Sequence, residues 1–163
     1  MEKFEIRPYR LEDRERLQAI RELAFMPIHN GFREQLGDEI SDKVRGDQNR
    51  KQAAYLDTLM AGGDRQELHV LLYGETIAGF VSLTLDEDGV GGEIDLNAID
   101  PPYQGRGGGR FMYEFALARL KVLGVRLARV GTGLDSNHAA ARKAYEAAGF
   151  ERSLSWTVLY KLI

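Results

Sequence analysis

The spacing of apolar and polar positions changes several times along the chain, and each change marks an element. "KFEIRPY" sets Phe4, Ile6 and Pro8 against charged neighbours, the two-residue period of a first strand. "LEDRERLQAIRELAF" places Leu11, Leu17, Ile20, Leu23 and Ala24 at helical spacing. "MPIHNGFREQLGDEI" holds a proline and an Asn-Gly pair, so a broken helical segment is expected there. "NRKQAAYLDTLMAGG" is helix-like up to the Gly62-Gly63 pair. Strands follow. "ELHVLLY" and "TIAGFVSLTL" flank a Gly74-Glu75 hairpin turn, and Asp88-Gly89 turns the chain into "GEIDLNAI".

Helices then return. "RFMYEFALARLKVLG" carries an apolar stripe of Met112, Phe115, Ala116, Leu120 and Leu123, closed by Gly124. "VRLARVGTG" reads as a strand and "NHAAARKAYEAAGF" as a helix ending at Gly149. The chain finishes in "LSWTVLYKLI", which puts Leu154, Trp156, Val158, Tyr160 and Leu162 on one face. No repeat, low-complexity tract or linker interrupts this order, which predicts one α/β domain over residues 1–163. Strand 93–99, helix 106–123 and strand 126–132 form a strand–helix–strand crossover, so the two strands are expected to be parallel and the crossover right-handed.

Composition narrows the function. The 163 residues suffice for a core without metal or disulfide, and 44% hydrophobic with 29% charged residues is a globular balance. A formal charge of −3 argues against a nucleic-acid partner. The absence of cysteine removes thiol nucleophiles and cysteine zinc sites. His29, His69 and His138 have no metal-ligand spacing, so no metal is expected. "MEKFEIRPYRLEDRER" lacks the apolar core of a secretory signal and no stretch reaches membrane-spanning length, so the default expectation is cytoplasmic, with no membrane partner.

The densest chemical signal is "DPPYQGRGGGRFMYEF", with four glycines among residues 105–109 directly before a helix. A helix N-terminus offers unpaired N–H groups and partial positive charge, and glycines let the backbone approach an anion closely. Gly105, Gly107, Gly108 and Gly109, with Arg106 and Arg110 beside them, therefore suggest a phosphate or pyrophosphate cradle. A flexible surface turn is the plainer alternative. A Walker loop fails, because Gly109 is followed by Arg110 and Phe111. The dinucleotide pattern fails in both registers, since Arg110 or Met112 stands where its last glycine belongs.

The pattern that fits is Gln-x-x-Gly-x-Gly, with Gln104, Gly107 and Gly109. Here the sequence resembles the GNAT superfamily of acetyl-coenzyme A dependent N-acetyltransferases. "NHAAARKAYEAAGF" is similar to the family's second signature, with Asn137 before a helix that carries Tyr145 and ends in Gly149-Phe150. The resemblance covers most of residues 66–163. It implies a central mixed, mostly antiparallel sheet flanked by helices, with a splayed parallel strand pair holding the cofactor. The amides of Gly105 to Arg110 would then bind the pyrophosphate, Asn97, Ala98 and Ile99 would run beside the pantetheine arm, and Asn137 would meet the cofactor near its thiol. Gly131 and Gly133 suit strands that part. One position departs from the family pattern: the residue between the last two glycines, usually branched and apolar, is Gly108, which implies a lost packing contact.

Acetyl transfer to an amine needs a neutral amine, a polarised carbonyl and a proton for the departing thiolate. Alternation along strand 93–99 puts Glu93, Asp95 and Asn97 on one face, opposite Ile94, Leu96 and Ala98, as if lining a wet cleft. Glu93 is the first candidate for general base and Asp95 the second, and either could instead bind the acceptor. Tyr145 is the candidate general acid, against the alternative of a tyrosine packed on the sheet. Asp135 and Ser136 read as helix caps. The acceptor pocket is expected from residues 25–62, which include Phe25, His29, Phe32, Asp38, Glu39 and Tyr55. A small-molecule or peptide amine is the expected acceptor, and these features leave room for a homodimer. The rival reading is a non-catalytic acetyl-coenzyme A sensor, with the glycine loop and Asn137 but no working acid or base.

Overall fold

Five strands pair in sequence order in the computed structural model, which describes residues 3–163. They are β1 (Phe4–Pro8), β2 (Gln66–Tyr73), β3 (Thr76–Leu85), β4 (Gly91–Ile99) and β5 (Leu127–Val130). The first four are antiparallel, and β4 and β5 are parallel, as the crossover requires. Gly74 at φ 60° and Gly89 at φ 67° make the two hairpin turns. The helices are α1 (Arg14–Leu36), α2 (Asp38–Val44), α3 (Gln48–Ala61), α4 (Gly108–Val122) and α5 (Ala139–Ala147).

Strand alternation gives the sheet two apolar faces, and each is covered. Leu17 and Ile20 of α1 and Leu56 and Leu59 of α3 bury against Val70, Phe80, Leu96 and Ala98. Met112, Tyr113, Ala116 and Leu120 of α4, with Tyr145 of α5, bury against Leu71, Val81, Leu83 and Ile94. Each fully buried large side chain stabilises the fold by about 1.5–3 kcal/mol relative to exposure.

Two regions differ from the sequence reading. The segment around Pro27 and Asn30-Gly31 is an unbroken part of α1. Leu23 and Pro27 both lie on the exposed side, where water can satisfy the carbonyl that a proline N–H would have bonded. The final segment, residues 151–163, is neither helix nor strand.

An ion pair ties β1 to the start of α1. Arg7 donates to both oxygens of Asp13 at 2.7 Å, and Asp13 is 2% exposed. That pairing holds the Asp13 carboxyl below its ordinary range. A depressed folded value means the pair stabilises fully above the unfolded value near ~3.9, and the gain is lost as pH falls through the folded one. Asp13→Asn is therefore expected to cost about 1.5–3 kcal/mol at pH 7. The gap from wild type should close on acidification below ~4, which thermal melts across pH would read.

Candidate active site

The ladder between β4 and β5 runs from Gly91–Leu127 to Ile94–Val130 and stops there. Beyond it, residues 95–99 of β4 keep β3 on one side and have no strand on the other. The strands part where Gly131 follows β5, and this opens a slot at the carboxyl end of β4.

A register shift in β4 rearranges its side chains. Val81 pairs with Asn97 and Leu83 with Ile94, so Ser82 faces both Asp95 and Leu96. This β-bulge breaks the alternation. Ile94 stays on the α4 side, whereas Leu96 and Ala98 pack under α1 and α3. Asn97 consequently does not share a face with Glu93 and Asp95. It turns towards α4, where the Tyr113 hydroxyl donates to its Oδ1 at 2.8 Å, and its own Nδ2 donates to the Asp95 carbonyl at 2.9 Å. A single bulge residue is invisible to periodicity, and the predicted three-residue polar face is corrected to two.

Those two carboxylates lie on the α1–α3 side and each has protein partners. Glu93 Oε2 accepts from Arg129 Nε at 3.0 Å, and Arg129 also forks onto Asp86 at 2.6 and 2.8 Å. Asp95 Oδ2 accepts from the Tyr55 hydroxyl and from Thr84 Oγ1 at 3.2 Å. Burial and the Asp95 charge push the Tyr55 hydroxyl far above its ordinary value, so Tyr55 is a proton donor throughout the working range. Tyr55 appeared in the sequence only among pocket candidates, and Arg129 gave no signal there. Their alignment across α3, β4 and β5 is a product of tertiary packing.

The glycine loop has the geometry of a cradle. Gly105 at φ 74° and Gly107 at φ 87° occupy the left-handed region, and nothing lies within 4 Å of where their Cβ atoms would be. The first bond of α4 runs from Phe111 N–H to the Gly107 carbonyl. The amides of Gly108, Gly109 and Arg110 therefore carry no intrahelical partner. Gln104 anchors the loop by donating to the Ile99 carbonyl at 3.0 Å. Arg106 sits over the rings of Tyr73 and Tyr103, 5.5 Å from each centroid, and Arg110 pairs with Glu114.

Gly108 is explained by its neighbour. A Cβ there would meet Phe4 Cζ at 2.9 Å and Cε1 at 3.0 Å, so the ring from β1 fills the space a branched residue would take. The contact expected to be missing is supplied from another strand. Gly108→Val is accordingly expected to destabilise the protein by about 1–3 kcal/mol through overpacking. Adding Phe4→Ala should recover part of that loss, a coupling that a double-mutant cycle of melting free energies would measure.

On the α4–α5 side of the sheet, Tyr145 is 7% exposed, its ring 4.6 Å from that of Tyr113 and 6.0 Å from Phe150. Burial and the adjacent Tyr145 hydroxyl raise the Tyr113 pKa well above normal, so Tyr113 stays protonated and holds Asn97. Asp135 caps the turn at Ser136–His138 by accepting from the Asn137 amide at 2.9 Å, and it binds His138 Nδ1 at 2.6 Å. The Asn137 side chain rests on α1, so close to Gly31 that a Cβ there would collide with it. This contact gives the Asn-Gly pair inside α1 a structural purpose. No group of three or more potential ligand side chains forms a metal site among the described residues.

The profile of the acetyltransferase (GNAT) family matches residues 28–150, about three quarters of the chain. The chain belongs to that family. Family members use acetyl-CoA, and the chain is thereby an N-acetyltransferase by class. Among curated proteins, none matches it in sequence. Similar solved structures include a GNAT-family protein from Desulfovibrio desulfuricans (15% identity, TM-score 0.68, covering 93% of this chain and 87% of that one). The aminoglycoside N-acetyltransferase AAC(6')-Iy in complex with CoA is similar at 14% identity and TM-score 0.66, over 99% and 96% of the two chains. Glucosamine-6-phosphate N-acetyltransferase from Arabidopsis thaliana is similar at 17% and 0.60, over 97% and 98%. At these identities the likeness is one of fold.

The slot and loop of this GNAT chain fit the cofactor. Open space over Gly105 and Gly107, the free first-turn amides of α4 and the unladdered edge of residues 95–99 are what a pyrophosphate followed by an amide-bearing arm requires. Among the described residues no helix is long and apolar enough to cross a membrane.

Proposed function

We propose that this GNAT enzyme transfers the acetyl group of acetyl-coenzyme A to a primary amine on a cationic small molecule, by direct attack in a ternary complex. One observation carries the reading: two carboxylates, Glu93 and Asp95, flank the point on β4 where the strand parts from β5, with the anion cradle beyond that slot. Negative charge at that place attracts an ammonium and offers an acceptor for its proton. The aminoglycoside and amino-sugar enzymes of similar fold act on amines, which is consistent with this class of acceptor.

When bound, acetyl-coenzyme A supplies the acetyl group and a thiolate leaving group. Gly105 to Arg110 and Gln104 would hold its phosphates, with Asn97, Ala98 and Ile99 beside the arm. Asn137 is proposed to meet the thiol end, at the rim it shares with Gly31. Glu93 receives the amine proton, directly or through water, using the oxygen that Arg129 does not engage. Asp95 is fixed by Tyr55 and Thr84 and is the alternative base or an anchor for the acceptor. Tyr145 gives its hydroxyl proton to the thiolate.

A second reading, a non-catalytic acetyl-coenzyme A sensor, draws on the same residues. Both carboxylates already have protein partners, as they would if their role were structural. Ligand stabilisation tests the shared part of the two readings. Coenzyme A at a hundred times its dissociation constant should add about 2.7 kcal/mol of stability, and ATP or NAD should add none. Gly107→Glu should abolish the shift, since it places a carboxylate where the phosphates belong and strains a φ of 87°. A shift with ATP and none with coenzyme A would overturn both readings.

A further inference from the structure

Three helices enclose a cavity that includes no residue of β4 or of the glycine loop. The second half of α1, the end of α2 and the start of α3 line a space of about 380 Å³, with His29, Arg33, Asp42, Arg45, Asp47 and Asn49 on its walls. Small-molecule pockets span roughly 300–1,000 Å³, so this one holds more than a bare ion.

The charges around it do not balance. Arg33 is neutralised locally, since it donates to Asp38 at 2.5 Å and also to Asp42. Asp47 caps α3 by accepting from the Arg50 amide at 2.9 Å. Two arginines lack such a carboxylate. Arg21 is 3% exposed and bonds only amide oxygens, Gln18 Oε1 at 2.9 Å and Asn49 Oδ1 at 2.6 Å. Glu22 reaches it only through Asn49, whose Nδ2 donates to Glu22 at 3.1 Å. The Arg45 guanidinium lies 3.9 Å over the Phe32 ring, and its buried Nε has no hydrogen-bond partner among the described residues. From the final segment, Tyr160 is the group whose charge acts on Arg45. Lys51 adds a cation at the rim, where it donates to the Arg45 carbonyl at 2.7 Å. A charge withdrawn from water is costly unless an opposite charge meets it.

We infer that this cavity binds a small organic acid, whose carboxylate or phosphate group pairs with Arg45 and is hydrogen-bonded by His29. Stacking on Phe32 fixes the plane of the guanidinium, and a planar fork of N–H groups matches an oxyanion in shape as well as charge. His29 reports on the same field. Its own burial and the charges of Arg45 and Arg21 hold its imidazole below the ordinary value, with Asp47 opposing them. An anion in the cavity offsets those two guanidiniums, so binding should raise the His29 pKa and should tighten as pH falls through it. The inference needs only these helices and stands apart from the acetyltransferase reading.

Nuclear magnetic resonance on the whole isotope-labelled chain tests it. The protein is titrated with succinate, with glycerol 3-phosphate and with neutral glycerol, while the amide and imidazole signals are followed. Saturable shifts over residues 41–49, a His29 pKa raised by roughly 1 unit or more, and no response to glycerol support the site. Saturation by succinate alone identifies a carboxylate ligand, and by glycerol 3-phosphate alone a phosphate monoester. Arg45→Gln keeps length and hydrogen bonding but loses the charge, and should weaken binding by about tenfold or more. Shifts confined to residues 105–110 would place the anion in the glycine cradle and overturn the inference. So would an unmoved His29 pKa, or full affinity in Arg45→Gln. If that variant fails to fold, the wild-type titration decides alone, because the shift map and the His29 pKa need no substitution.

Discussion

Tyr145→Phe is expected to lower kcat by on the order of 10²-fold or more while leaving coenzyme A affinity nearly unchanged. The substitution removes one oxygen from a side chain that is 7% exposed and held between the rings of Tyr113 and Phe150. Phenylalanine keeps both ring contacts, so the fold and the cradle at the start of α4 should stay as they are. What disappears is the hydroxyl proposed to hand its proton to the departing thiolate. Tyr113→Phe belongs beside it, since it deletes the neighbouring hydroxyl that holds Asn97 and lies against that of Tyr145, while the proposed acid itself is kept. Rapid-mixing measurement of acetyl transfer separates chemistry from product release. Wild-type turnover in Tyr145→Phe would reduce Tyr145 to a packing residue.

Glu93→Gln is expected to depress kcat by about 10²-fold near neutral pH and to recover as rising pH supplies neutral amine from solution. The acceptor amine titrates near ~10, so at pH 7 almost all of it arrives protonated and needs a base. Glutamine keeps the size of the side chain and an oxygen for Arg129, so the Asp86–Arg129 fork should persist. If Glu93 only anchors a cationic acceptor, the loss should fall on the acceptor KM with kcat preserved. Asp95→Asn belongs beside it, because the bulge leaves Asp95 on the same side of the sheet, fixed by Tyr55 and Thr84. Steady-state parameters from pH 6 to 10 for both variants distinguish base from anchor. Kinetics identical to wild type throughout would remove Glu93 from the site.

Much of this site was legible because its signals are local. The positive φ of Gly105 and Gly107 and the start of α4 at Gly108 follow from glycine chemistry at a helix N-terminus. The parallel β4–β5 pair follows from a crossover that spans a helix. What could not be read depends on pairing. The bulge opposite Ser82 turns Asn97 to the other face, although alternation alone puts it beside Glu93. The Phe4 ring that fills the space over Gly108 comes from a strand about a hundred residues earlier. Pro27 and Asn30-Gly31 read as a break, yet α1 continues through them, since Pro27 faces solvent and Gly31 makes room for Asn137. The final segment has the alternation of a strand yet is neither strand nor helix, because alternation alone does not supply a pairing partner.

The most direct test of the central claim is thiol release from acetyl-coenzyme A across a panel of cationic and neutral primary amines. Release should depend on a cationic amine, yield an acetylated amine in equal amount, and vanish in Gly107→Glu. Coenzyme A binding with no amine-dependent release from any member of the panel would contradict it, and would leave the chain as an acetyl-coenzyme A binding module.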